Sequence, residues 1–143
     1  MSRLLGIAVV LLVAAAADPP DVAALLRASQ AAVAADDLAG AVALLEQAQR
    51  WTTDPGLVAF NLATVRYEQA RQGNPQALGA AEAAYRCLLD RGNPHRPAAA
   101  FGLGNCLLLR GTTGALDAVS LRAAIDRYTE CDRRPRLSAG PCR

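Results

Sequence analysis

From Pro20 to Arg133 the chain alternates apolar stretches with short polar or helix-breaking punctuation, and the punctuation divides it into six helices. The first covers about Pro20–Ala35. Asp36-Asp37 ends it and caps the second, about Asp37–Trp51. Asp54-Pro55 opens the third with an acidic cap and a proline at the first helical position. That helix runs to about Gln72, where Gly73 stops it. Asn74-Pro75 repeats the device for the fourth, which extends to about Arg91 and ends at Gly92-Asn93-Pro94. The fifth runs from about Pro97 to Gly111, followed by Thr112-Thr113. The sixth runs from about Gly114 to Arg133, with Pro135 just beyond. Connections this short predict that successive helices pack antiparallel.

The six helices form three pairs, and the pairs repeat. The second helices carry Ala41, Leu45, Ala48, then Ala81, Tyr85, Leu88, then Ala124, Tyr128, Cys131. Steps of four and then three place each triplet on one face. The first helices align through Ala28-Ser29 with Ala32, Leu62-Ala63 with Arg66, and Leu103-Gly104 with Leu107, a small residue that lets the partner helix approach closely. Such self-similarity marks an α-solenoid. From Ser29 to Ala41 is 12 residues, from Ala63 to Ala81 is 18, and from Gly104 to Ala124 is 20. The links between pairs, Ala48 to Leu62 and Leu88 to Leu103, span 14 and 15 residues, so the second and third pairs are each expected to be one turn taller.

Ahead of this region, Arg3 precedes an apolar run of 14 residues, Leu4 to Ala17, that ends in small residues before Asp18-Pro19-Pro20-Asp21. Residues 1–17 are expected to be a secretory signal cleaved before Asp18. As a helix the run rises about 21 Å, short of the roughly 30 Å hydrocarbon core, so it would tether the chain to a membrane only if left uncleaved. The expected location is periplasmic or extracellular. Residues 18–135 are expected to form the helical domain and 136–143 an irregular tail. Composition agrees with helices: 32 Ala and 21 Leu, against two Ile. Fifteen Arg, no Lys and thirteen acids leave a formal +2, too near balance for a nucleic-acid binder.

Leu103-Gly104-Asn105 with Leu107 and Gly111, then Ala124, Tyr128, Cys131 and Pro135, resembles a tetratricopeptide repeat, with weaker copies over Val22–Asp54 and around Phe60-Asn61-Leu62-Ala63. More loosely, the third copy is similar to exported repeat proteins of bacterial aerotolerance operons. No Trp opens any repeat, Arg66 stands where that family has Tyr, and Pro55 sits two residues late. The resemblance implies a right-handed solenoid of three antiparallel pairs, with repeats at about 22–54, 55–95 and 96–135. It also implies a concave face, formed by the first helices, that holds a peptide or partner helix. On that face it places Phe60, Asn61, Thr64 and Tyr67 from the third helix and Phe101, Asn105, Leu108 and Leu109 from the fifth. Asn105 matches a family position whose amide pairs with a ligand, and Asn61 is a second candidate. Amides suit this task because each offers a donor and an acceptor. Phe60 and Phe101 are expected to serve mainly the core.

Nothing in the sequence asks for catalysis, a metal or a cofactor. His95 lies in a proline-bounded turn with no nucleophile beside it and is expected to be a solvated loop residue. Cys87, Cys106, Cys131 and Cys142 match no zinc spacing, include no CxxC pair, and are expected to be mostly free thiols. The function expected is a non-enzymatic scaffold that binds a protein or peptide. Two alternatives stay open: an N-terminal fragment of a longer repeat protein, and a thiol-based redox sensor. The last repeat should also expose apolar residues of the sixth helix, Leu116, Val119 and Ile125 among them, so the mature chain is expected either to self-associate there or to be marginally stable.

Overall fold

The computed structural model describes residues 20–113 and 117–132, with side chains as far as Glu130. The expected signal segment, the tail, Leu116, and the side chains of Cys131 and Cys142 lie outside that range. The chain is all-α: six helices, and no strand among the described residues. They are α1 (Val22–Ala34), α2 (Leu38–Gln49), α3 (Pro55–Arg71), α4 (Pro75–Cys87), α5 (Arg96–Thr112) and α6 (Ala118–Asp132). No described helix is long and apolar enough to cross a membrane.

Carboxylates start most of the helices. Asp21, Asp37 and Asp54 accept the backbone N–H groups of Ala23, Gly40 and Leu57 at 2.8–3.0 Å, satisfying donors that the first turn leaves without partners. Asp36 adopts φ 62° and Gly73 φ 100°, turning the chain after α1 and α3.

Two boundaries differ from the sequence expectation. Helix α4 stops at Cys87, four residues before Arg91. The N–H groups of Leu88 and Leu89 reach back only three residues, to Tyr85 and Arg86, and Arg96 Nε caps the Leu89 carbonyl at 2.9 Å. The described part of α6 starts at Ala118 rather than near Gly114, because Asp117 is its cap. Asp117 accepts the Val119 N–H at 3.0 Å and the Ser120 hydroxyl. That hydroxyl, with the Val119 N–H, holds the Asp117 carboxyl below its ordinary range.

Each helix packs on the next in sequence, and α3 also touches α5. Helices α5 and α6 run antiparallel: Leu121, early in α6, faces Gly111, and Tyr128, late in α6, faces Gly104. The extra residues of the later pairs lie at the turn between their helices. Helix α1 ends five residues past Ser29, whereas α3 and α5 end eight past Ala63 and Gly104. Helix α2 begins three residues before Ala41, whereas α4 and α6 begin six before Ala81 and Ala124. Each of the four later helices thus gains nearly one turn at that end.

Burial falls on the repeated positions. Ser29, Ala63, Gly104, Ala41, Ala81 and Ala124 are all buried. Two cores result. One joins α1, α2 and α3 through Leu38, Leu45, Val58 and Val65. The other joins α3 to α6 around Tyr85, Leu88, Leu103, Cys106 and Leu107. On α6, Val119 and Ile125 are exposed.

The larger core is built on two close approaches to α5. A Cβ added at Gly102 would lie 2.4 Å from the Tyr85 ring, and one at Gly104 would lie 2.6 Å from the Tyr128 ring. Gly79, mid-helix in α4, faces open space. Gly102→Ala therefore overpacks the core and is expected to destabilise by about 1–3 kcal/mol. Gly79→Ala removes only backbone freedom and is expected to stabilise by roughly 0.5–1 kcal/mol. Urea titration of the two variants checks the opposed signs.

Candidate functional site

The first helices carry the expected face, and the structure divides its residues into two groups. Phe60, Thr64 and Tyr67 follow one another at steps of four and three on α3. Phe101, Asn105 and Leu108 do the same on α5. In each set the middle residue is tied to a tyrosine of the following helix. Thr64 Oγ1 lies 3.0 Å from the Tyr85 hydroxyl and donates to the Phe60 carbonyl, and the Tyr128 hydroxyl donates to Asn105 Oδ1 at 2.8 Å. The Asn105 oxygen is thus committed inside the protein.

Phe60 is half-buried, edge-on to Tyr85 with ring centres 5.8 Å apart and stacked against His95 at 6.4 Å. Tyr67 and Leu109 sit at the margin of the larger core. Burial raises the Tyr67 phenol above its ordinary range. Leu108 is exposed. Phe101 departs from its expected core role: it is 54% exposed, with one side of its ring resting on Tyr128 at 5.5 Å. It lies one step off the buried strip of Gly102, Leu103 and Cys106, so only its flank finds a partner.

His95 also departs from expectation. Its side chain is largely buried, stacked on Phe60, with Nε2 3.5 Å from Asp54 Oδ2. Asn93 Oδ1 accepts the His95 backbone N–H at 2.9 Å, which folds the turn onto the start of α3. The Leu57 N–H, with a smaller contribution from His95, keeps the Asp54 carboxyl below its ordinary range. Among the described residues no group of three His, Cys, Asp or Glu side chains could hold a metal.

Between α1 and α3 lies a cleft of about 220 Å³. Its base is apolar: Leu45, 1% exposed, and Val65 are buried there beside Ser29. Gln30 and Val33 of α1 and Asn61, Thr64 and Glu68 of α3 complete it. Of the expected residues, the cleft thus brings together only Asn61 and Thr64. The Asn61 amide makes no hydrogen bond to any described residue, so both its donor and its acceptor are available. Glu68 is matched by Arg71 at 2.9 Å, leaving the cleft without net charge. Ser29, Gln30 and Val33 were not anticipated, yet a signal existed. The register that pairs Ser29 with Ala63 carries Thr64 back to Gln30 and Tyr67 back to Val33.

Away from this face, Glu82 is 1% exposed and takes Arg86 Nη2 at 2.8 Å and Arg110 Nη2 at 2.7 Å, tying α4 to α5. Below it Cys106 is fully buried. Burial, reinforced by the Glu82 carboxylate, pushes its thiol up to about 12. Cys87 is exposed, and both are free thiols.

Comparison with models of known families, with curated proteins and with solved structures finds no match to this chain. A thiolate is the reactive form of cysteine. Iodoacetamide at neutral pH is therefore expected to label Cys87 in the folded protein, and Cys106 only after denaturation. Peptide mapping by mass spectrometry checks this, and native labelling of Cys106 would support the redox alternative.

Proposed function

We propose that the chain is an exported, non-enzymatic scaffold that holds a protein or peptide partner on the face formed by its first helices. In this proposal three tetratricopeptide-like repeats stack as a right-handed solenoid and residues 1–17 are a removed signal. The observation that carries it is the cleft between α1 and α3. A neutral hollow with an apolar base and an unpaired amide at its edge suits an extended segment that inserts one apolar side chain and turns a backbone amide toward Asn61. The repeated register, the buried repeat positions and the extra turns support the repeat assignment. The apolar run Leu4–Ala17, ending in alanines before Asp18, supports export.

Two measurements test this. Display of random peptides against the purified chain is expected to enrich sequences with a recurring apolar residue. Val33→Arg at the exposed edge of the cleft should weaken the enriched peptides by about tenfold or more, near 1.4 kcal/mol, and Asn61→Ala by about 1 kcal/mol. Peptides indifferent to both substitutions would place binding elsewhere. For export, intact mass of the chain recovered from a secreting bacterial host is expected to match an N-terminus at Asp18, and an unprocessed cytoplasmic product would overturn that part.

A further inference from the structure

The cleft between α1 and α3 has a filled counterpart one pair further along. The register that matches Ser29 with Ala63 and Gly104, and Ala41 with Ala81, also matches Gln30 with Thr64, Val33 with Tyr67, Leu45 with Tyr85 and Asn61 with Gly102. In the seam between α3 and α5 the Tyr85 ring occupies the gap over Gly102, edge-on to Phe60, with its hydroxyl 3.0 Å from Thr64 Oγ1. Tyr67 packs on the same cluster. At the two matching positions between α1 and α3 stand Leu45 and Val33. Two phenol rings in one seam are thus a leucine and a valine in the other, and the space left over is the cleft.

Resting on the scaffold proposal above, we propose that this cleft binds a phenolic ring, the side chain of a tyrosine presented by the partner. The ring-filled seam between α3 and α5 continues directly into the unfilled one, since α3 forms a wall of both. The base of Leu45 and Val65 gives the apolar contact that Phe60 and Cys106 give around Tyr85. The hydroxyl also has its counterpart. Gln30 stands where Thr64 receives the Tyr85 hydroxyl, and neither Gln30 nor Asn61 spends its amide on a described residue. The Glu68–Arg71 pair leaves the cleft no net charge to draw a carboxylate or an ammonium. Asn61 fills the place that Gly102 leaves bare, so the ring enters from outside, past Val33, which is 38% exposed, rather than from α2.

p-Cresol is the probe, with toluene as the ring lacking the hydroxyl. Methyl NMR of the full chain is expected to show saturable shifts at Leu45, Val33 and Val65 with p-cresol, at a dissociation constant about threefold or more below that of toluene. Leu45→Tyr combined with Asn61→Gly, which clears the place that Asn61 fills, supplies the ring from within and is expected to abolish the shifts at Val33 and Val65. Should that variant not fold, Val33→Tyr fills the cleft from its exposed edge and is expected to abolish the shifts likewise. Unsaturable shifts, equal affinity for toluene, or undiminished cresol binding in the folded filled variant would each overturn the proposal. Displayed peptides that depend on Val33 but lack tyrosine would overturn the phenolic assignment and leave the scaffold standing. Saturable cresol binding with no peptide captured would count against the scaffold alone.

Discussion

The larger core depends on one exchange: a second helix contributes a tyrosine ring, and α5 contributes a glycine to receive it. The chain has only six aromatic residues, and alanine dominates its buried positions, so little side-chain volume is available to fill the spaces between helices. Tyr85 and Tyr128 supply much of it. Gly102 and Gly104 are two residues apart, hence on nearly opposite sides of α5. One receives a ring from α4 and the other a ring from α6, so α5 is gripped from both sides. Each glycine costs about 1 kcal/mol of helix propensity relative to alanine. Burying most of a tyrosine ring offsets this, at about 25 cal/mol for each Å² of apolar surface removed from water.

A buried ring with a hydroxyl must also place that hydroxyl. Thr64 and Asn105, at matching positions on α3 and α5, do so for Tyr85 and Tyr128. Desolvation pushes the Tyr85 phenol up to about 12, so its bond to Thr64 outlasts the alkaline pH at which an exposed phenol ionises. The Glu82 carboxylate follows the opposite logic. It is fully buried and meets two arginines whose side chains are half in water. Solvent screens those pairs, so their contribution is better seen as fixing how α4 meets α5 than as a large stabilising energy.

The fold was legible where the signal is periodic and local. Asp37, Asp54 and Gly73 fix their own stretches of backbone, and the six- and eight-residue surplus between matched positions located the longer helices. What was missed depends on tertiary context. The end of α4 is set by Arg96, nine residues beyond Cys87, which caps the Leu89 carbonyl and lets the helix stop early. Phe101 belongs to the apolar set by type, but its place one step beside the buried strip leaves it half in water. His95 has no helical period to betray its packing on Phe60. Half of the cleft was out of reach because no candidate was drawn from α1, which takes its role only when the register of α3 is carried back to it.

The difference between the pairs also sets where the molecule gives way. The core shared by α1, α2 and α3 holds only Leu, Val and Ala, and α1 contributes a single fully buried residue, Ser29, whose hydroxyl turns back to the Leu26 carbonyl. Held through half-buried Val22, Leu25, Leu26 and Ala32 and by no ring, α1 is expected to open at lower free energy than α5, which is held by two rings. The substitution of leucine and valine for two tyrosines therefore has two consequences from one cause. It leaves room between α1 and α3, and it leaves that room bounded by a helix that no ring holds. A ligand touching both walls would replace the missing contacts and tie α1 to α3, so binding there and ordering of the first pair draw on the same free energy.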